Sequence, residues 1–242
     1  MAPNADRVLF AHVVDRPDDS IQLDVAALMI GEWEYNGLDV SHYLALLDRF
    51  AEQVVKTLEA QERTRYGAIR ALNKVLFEKL GFRGNEDDYY DPRNSFLNEV
   101  IDRRVGIPIS LSVVYLEVAR RVNIGVDGIA FPGHFLVRYD SDDESLIIDP
   151  YHMGLTLDRD ELQARLAHAS GSDARLTPDL LEPASKKQIL FRMLGNLQGI
   201  YRRDGDVQRS ISVLERMQVL EPDDARVDQE LRALQRRAKE LN

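Results

Sequence analysis

The sequence of 242 residues contains no cysteine. This absence excludes disulfide bonds, cysteine-ligated zinc and every thiol nucleophile. Long apolar runs are also missing, since none approaches the roughly 20 residues that span a bilayer. The first twenty residues carry acids and lack the apolar stretch of a secretion signal. We therefore expect a cytoplasmic protein that does not enter a membrane.

The sequence also has no excess of positive charge. The chain has 31 basic and 41 acidic residues, which gives a net charge of −10 at pH 7. Such a charge repels phosphate backbones, so nucleic acid is not an expected partner. No glycine-rich loop of the kind that cradles phosphates is present, and we expect no cofactor. The content of hydrophobic residues, 44%, is that of an ordinary globular protein.

The first eighty residues have the apolar periodicity of helices. Hydrophobic residues recur every three to four positions in segments 21–34, 41–58 and 69–80. Gly37 breaks the first segment, Ser41 is suited to cap the second, and Gly81 follows the third where a left-handed helix end is favoured. The pattern predicts three helices here.

The next segment, "FRGNEDDYYDPRN", places acids beside tyrosines. It is open to two interpretations: a divalent-cation site, or a solvated loop in which Asn94 caps the next helix. The irregular spacing of the acids favours the loop. Two helices should follow, the first ending at Gly106 and the second carrying Pro108 in its first turn. The second is apolar around most of its circumference, which predicts a buried central helix.

From Val126 the pattern changes to short branched or aromatic runs, "VDGIAF", "HFLVRY" and "SLIIDP". Pro132-Gly133 and the acidic turn "DSDDE" separate them, which favours an antiparallel meander. A helix-rich N-terminal part followed by a small antiparallel sheet predicts the α+β fold class.

The connector "ASGSDARLTPDLLEPAS" precedes a different pattern and suggests two domains, 1–185 and 186–242. The second resembles one tetratricopeptide repeat followed by a trailing helix from Ala225 to Leu241, with a plain helical hairpin as the alternative. A single repeat cannot bury its own apolar face, so it should pack on the first domain or on a partner. The residues on the repeat spacing are Leu194, Leu197, Tyr201, Ser210, Leu214, Met217 and Pro222.

His134 begins one predicted strand and Asp149 ends the next. A hairpin would bring the carboxylate to the imidazole, where it would fix the tautomer and leave the other ring nitrogen as a base. A lone histidine at such a position also serves as a structural hydrogen-bonding residue. A metal site formed with His152 lacks a recognised motif, and we expect no metal. With the N-terminus of the buried helix, the pair forms the parts of a papain-like or transglutaminase-like site.

The run from "FRGNEDDYYDPRN" to "FPGHFLVRY", followed by "LIIDPYHMG", closely resembles the bacterial SirB-type family. That family couples a transglutaminase-like core to a C-terminal tetratricopeptide segment, and the similarity covers nearly the whole chain. The resemblance implies a cysteine-protease-like core with a central helix on an antiparallel sheet. It matches His134 to the histidine of the site and Asp149-Pro150 to its "DP" motif.

The nucleophile position departs from that family pattern. Counting back from Asn123-Ile124 places it between Pro108 and Ser110, where only Ser110 has a hydroxyl. We therefore predict a degenerate, non-enzymatic transglutaminase-like protein that binds a protein or peptide through its groove and its repeat, with a regulatory role by analogy. The alternative is an amide or ester hydrolase in which Ser110 is the nucleophile, His134 the base and Asp149 the orienting group.

Overall fold

The computed structural model describes residues 5–59, 66–141 and 145–240. These residues have the expected α+β class, with helices before and after a small sheet. The helices are α1 (Ala5–Val14), α2 (Leu23–Glu32), α3 (Val40–Glu59), α4 (Gly67–Asn73), α5 (Leu97–Arg103), α6 (Pro108–Arg121), α7 (Arg159–Ser170), α8 (Lys186–Asp204), α9 (Val207–Leu220) and α10 (Ala225–Glu240). The strands are β1 (Arg83–Gly84), β2 (Val105–Gly106), β3 (Asp127–Ile129), β4 (Leu136–Asp140), β5 (Ser145–Asp149) and β6 (Leu155–Leu157). In the described ranges, no helix combines the length and apolarity needed to cross a membrane.

The predicted buried helix is α6, and every residue from Pro108 to Ala119 is buried. Its apolar side chains cover the whole circumference, so each side needs a neighbour. Helices α2, α3, α5 and α8 surround it together with β3 and β4. Pro108 occupies the first turn, where a missing backbone N–H costs no helical hydrogen bond.

The predicted meander is confirmed in strands β3, β4 and β5, which pair antiparallel in sequence order, and β6 adds a fourth strand. Val137 and Ile148 are paired and face the core around α6. Leu136 and Ile147 face the other side, where they pack under α7. Of the predicted acidic turn between β4 and β5, residues 142–144 lie outside the described residues. The alternation of side chains thus gives the sheet two buried faces.

The helix boundaries of the N-terminal half differ from expectation at several points. Helix α1 was not anticipated, and α3 begins at Val40, so Ser41 is inside it rather than its cap. Helix α4 continues as a π-helical turn before the predicted left-handed stop at Gly81, whose φ is +74°. Helix α5 ends on Arg104, which is itself left-handed with φ of 61°. Gly106 instead belongs to β2, which pairs parallel with β1.

Asn94 does not cap α5, because the residue before that helix is Phe96, which has no capping side chain. The Asn94 side chain is fully buried and donates to the carbonyls of Asp88 and Tyr89 at 2.8 and 3.2 Å. It also accepts from the Asn85 amide at 3.0 Å. The amide therefore holds the acidic loop in place instead of starting a helix.

Helices α8, α9 and α10 follow the connector and pack on the rest of the molecule. Ser185 caps α8 through its hydroxyl, and Gly205 ends that helix with φ of 72°. Trp33 makes an edge contact with Tyr201, with ring centroids 6.1 Å apart, and the buried core extends from α2 and α6 into α8 and α9. The predicted boundary between residues 185 and 186 coincides with the start of α8.

Candidate functional site

Asp149 ends β5, is fully buried, and receives five hydrogen bonds. Its Oδ1 contacts Nε2 of His134 at 2.9 Å and accepts from the backbone N–H groups of Tyr151 and His152. Its Oδ2 contacts Nδ1 of His152 at 2.7 Å and Nη1 of Arg165 at 2.9 Å. The carboxylate therefore joins the turn before β4, its own strand end and α7.

These contacts set the protonation state of the site. Burial by itself raises the pKa of Asp149, but the hydrogen bonds and charges of His134 and His152 outweigh it, and the pKa falls to about 2. Asp149 is then an acceptor only at neutral pH, so Nε2 of His134 and Nδ1 of His152 must carry the shared protons. Within the described ranges no hydrogen bond reaches Nδ1 of His134, which leaves that nitrogen as the available base.

His134 follows a tight turn in which Gly133 has φ of +70°. Its backbone N–H donates to the carbonyl of Phe131 at 3.0 Å, and its side chain is 14% exposed. The imidazole stacks on His152 with ring centroids 5.9 Å apart and meets the edge of Tyr151 at 6.0 Å. The ring is thus fixed on one side by Asp149 and on two others by aromatic neighbours.

The turn after Asp149 is tied to the central helix. Asn73 donates to the Gly154 carbonyl at 3.0 Å and accepts from the Tyr115 hydroxyl of α6 at 3.0 Å. The ring of Tyr151 covers Gly84 so closely that a Cβ there would lie 2.6 Å from it, and glycine leaves the space it needs. The acid and its turn are therefore held against α4, α6 and β1.

Ser110 lies in the first turn of α6 with its side chain fully buried. Its Oγ donates to the carbonyl of Asn94 at 2.6 Å and accepts from the backbone N–H of Ile107 at 3.1 Å. Among the hydrogen bonds of the described residues, none joins Ser110 to His134. The hydroxyl is engaged with backbone, and this geometry gives no support to its action as a nucleophile.

Two pockets meet at His134, and we call them together the groove. The wide pocket has a volume of about 380 Å³ and is lined by Pro132, Gly133, His134, Ala164, Arg165, His168 and Ala169. The narrow pocket has a volume of about 10 Å³ and is lined by Tyr89, Pro108, Ile109, Gly133, His134, Phe135, Arg192 and Asn196. The start of α6 thus presents Pro108 and Ile109 beside His134, and neither carries a nucleophilic group.

His134, Asp149 and His152 each offer one ligand atom, and these atoms lie within 4.8 Å of one another. Arg165 already contacts Asp149 and supplies the positive charge that a metal ion would bring there. In the acidic loop, Asp91 is bound to Arg93 at 2.7 Å and to Arg103 at 3.4 Å. Its carboxylate neutralises arginines instead of facing an open cation site.

Several side chains of the site were missed at the level of sequence. Arg165 and Arg192 lie on separate helices, and no periodicity reveals how those helices dock on the sheet. Tyr151 had a signal in "DPYHMG", because its ring comes two residues after the aspartate, but its contact with Gly84 depends on the tertiary fold.

A family model described as "Transglutaminase-like superfamily" matches residues 41–195. The UPF0162 protein of Xylella fastidiosa (strain 9a5c) is 42% identical over 209 residues, which cover 85% of this chain and 74% of that protein. The UPF0162 protein of Pseudomonas aeruginosa is 31% identical over 212 residues, which cover 86% and 75%. Human F-box only protein 21 is 34% identical over 143 residues, which cover 56% of this chain and 22% of that protein. No solved structure gives a significant match.

Proposed function

Because this chain belongs to the transglutaminase-like superfamily and to the UPF0162 proteins, we propose that it binds a protein or peptide segment in the groove and performs no acyl transfer. The observation that carries the proposal is the start of α6, where Pro108 and Ile109 stand beside His134. Acyl transfer by this type of site needs a nucleophile at that place, next to the base. The chain has no cysteine to supply one.

The shape of the groove supports a binding role. The wide pocket, about 380 Å³, is large enough for a side chain and lies between α7 and the turn at Gly133. Tyr89 lines the narrow pocket and is 38% exposed, and the neighbouring Tyr90 is 58% exposed. Exposed tyrosines are common in contacts between proteins because they combine a large apolar ring with a polar tip.

Within this proposal we assign the chain to the SirB-type proteins on the motifs "FPGHFLVRY" and "LIIDPYHMG", and we interpret α8 and α9 as a tetratricopeptide-like pair. Arg192 and Asn196 of α8 line the narrow pocket, so the C-terminal helices would take part in the same binding surface. The division at residue 185 and the cytoplasmic location belong to the same proposal. In F-box only protein 21 the similar region is 22% of the protein, which fits a module that works beside other segments.

Selection of random 12-residue peptides by phage display tests the binding role. We expect the protein to enrich a peptide family and Ala164→Trp, which fills the wide pocket from the exposed face of α7, to lose at least about tenfold in affinity. Ala164→Ser leaves the pocket open and should bind like the unmodified protein. Recovery of no peptide family, or of one that Ala164→Trp binds equally well, would contradict the proposal.

The hydrolase alternative makes an opposite prediction. A fluorophosphonate probe labels serines that are activated by a base. We expect no labelling of the protein, because the Ser110 hydroxyl donates to the Asn94 carbonyl. Labelling that disappears in Ser110→Ala while this variant remains folded would restore the hydrolase and overturn the binding proposal.

A further inference from the structure

Arg192 of α8 is a half-buried arginine whose charge has no acidic partner. Among the hydrogen bonds and ion pairs of the described residues, its guanidinium contacts one acceptor, the carbonyl oxygen of His134 at 3.3 Å. A guanidinium has five N–H donors, and removal from water is costly unless they are satisfied. Burial accordingly lowers the pKa of Arg192, while the neighbouring Tyr89 acts in the opposite direction. The described residues thus leave most of the donors of this guanidinium without a protein acceptor.

The surroundings of Arg192 favour an anion. Arg192 and Asn196 line the narrow pocket, and Arg165 and His168 line the wide one. Within the part of the chain that the structure describes, no aspartate or glutamate lines either pocket, although the whole protein has a net charge of −10. The buried carboxylate of Asp149 is already bound to His134, His152 and Arg165. The groove therefore holds one arginine, Arg192, that no carboxylate of the described residues neutralises.

We propose that the narrow pocket binds a carboxylate of the bound peptide, with Arg192 as its ion-pair partner and Asn196 as an additional donor. This inference rests on the proposed function and specifies the chemistry of its ligand. The carboxylate comes either from the peptide's C-terminus or from an acidic side chain. In both cases two coplanar oxygens match the fork of a guanidinium.

The donors around the narrow pocket favour a carboxylate over a phosphate. One guanidinium can engage both oxygens of a carboxylate, whereas a tetrahedral phosphate usually needs several cationic or N–H donors around its oxygens. Within the described residues, one arginine lines this pocket.

Three short peptides in a nuclear magnetic resonance titration at constant ionic strength test the proposal. The first is acetyl-Ala-Ala-Ala with a free C-terminus, the second acetyl-Ala-Glu-Ala-amide, and the third the neutral acetyl-Ala-Gln-Ala-amide. We expect at least one acid peptide to shift the amide signals of Gly133, His134 and Asn196 in a saturable way, about tenfold more tightly than the neutral peptide. The stronger of the two acid peptides identifies the source of the carboxylate.

Variants of α8 provide the matched comparison. Arg192→Gln should reduce the preference for the acid peptides to nearly none, and Arg192→Lys should retain part of it, since lysine keeps the charge but not the planar fork. Arg202→Gln removes the same charge from an exposed position of the same helix and should change nothing. A thermal melt of each variant without peptide checks that it is folded.

The outcomes separate this inference from the proposed function. If acid and neutral peptides bind equally and Ala164→Trp abolishes the binding of both, the peptide groove is supported and the carboxylate site is refuted. Saturable shifts that persist in Arg192→Gln, tighter binding of inorganic phosphate than of both acid peptides, or the absence of saturable shifts would also overturn it. Acid-specific binding that needs Arg192 but is unaffected by Ala164→Trp would support the carboxylate site and count against the wider groove.

Discussion

Replacement of Asp149 by asparagine should give a loss of stability that depends on pH. The carboxyl has a pKa of about 2 in the folded protein against an ordinary value of 3.8, because hydrogen bonds from His134 and His152 outweigh the opposite effect of burial. One pKa unit corresponds to about 1.4 kcal/mol, so ionised Asp149 stabilises the fold by roughly 2 kcal/mol at pH 7. Asparagine keeps the shape of the side chain and cannot ionise.

The direction of the pH dependence follows from the lowered pKa of Asp149. The stabilisation is complete above the unfolded pKa of 3.8 and is lost as the pH falls through about 2. Linkage leaves about half of this contribution at pH 3 and little of it at pH 2. Urea unfolding of the protein and of Asp149→Asn at pH 7, 4, 3 and 2 measures this difference, since the titrating groups that do not contact Asp149 are common to both.

We expect the difference in unfolding free energy to shrink by about 2 kcal/mol between pH 7 and pH 2. Imperfect fit of the asparagine amide adds a constant that does not vary with pH. Asp204→Asn is the control, because Asp204 is 52% exposed and a surface change of this kind costs less than about 0.5 kcal/mol. Two parallel curves for the protein and Asp149→Asn would refute the reasoning.

Five further substitutions are tested by urea unfolding at pH 7. Gly84→Ala places a Cβ 2.6 Å from a tyrosine ring and should cost about 1–3 kcal/mol. Gly195→Ala, inside α8 with nothing within 4 Å of its Cβ, should stabilise by about 0.5–1 kcal/mol, and a loss equal to that of Gly84→Ala would contradict the packing argument. Arg121→Ala removes an 11% exposed partner of two buried acids and should cost about 3–5 kcal/mol, while Arg120→Ala, 57% exposed beside the same acids, should cost less than about 1 kcal/mol. Ser110→Ala leaves a backbone carbonyl and a backbone N–H unpaired and should cost about 1–3 kcal/mol, so an unchanged midpoint would show that these bonds contribute nothing.

The parts of the fold that could be predicted are those with a long or regular pattern. The apolar circumference of α6 predicts its burial, and the alternation in "HFLVRY" and "SLIIDP" predicts β4 and β5. The predicted helix boundaries were wrong where tertiary contacts determine them. Asn94 has the side chain of a helix cap, yet its oxygen accepts from the Asn85 amide and its NH2 donates to the loop carbonyls of Asp88 and Tyr89.

Some features of the candidate site could also be predicted from the sequence, and others could not. His134 and Asp149 could be paired from sequence because a hairpin fixes which strand ends meet. The direction of the Ser110 hydroxyl could not be predicted, since a shift of one residue along a helix turns the side-chain direction by about 100°. That rotation decides whether the group beside His134 at the start of α6 is the Ser110 hydroxyl or the apolar side chains of Pro108 and Ile109.

The five donors around Asp149 give its position a structural explanation that does not depend on catalysis. Only one of these contacts is the bond to His134, and the others join Tyr151, His152 and Arg165 to the end of β5. Loss of the acid would leave these donors without their acceptor, a cost that applies whether or not any reaction occurs. The same geometry therefore has a structural reason to exist. The chemistry of the groove must be judged from what faces His134, and among the described residues Pro108, Ile109 and Arg192 line the pocket there.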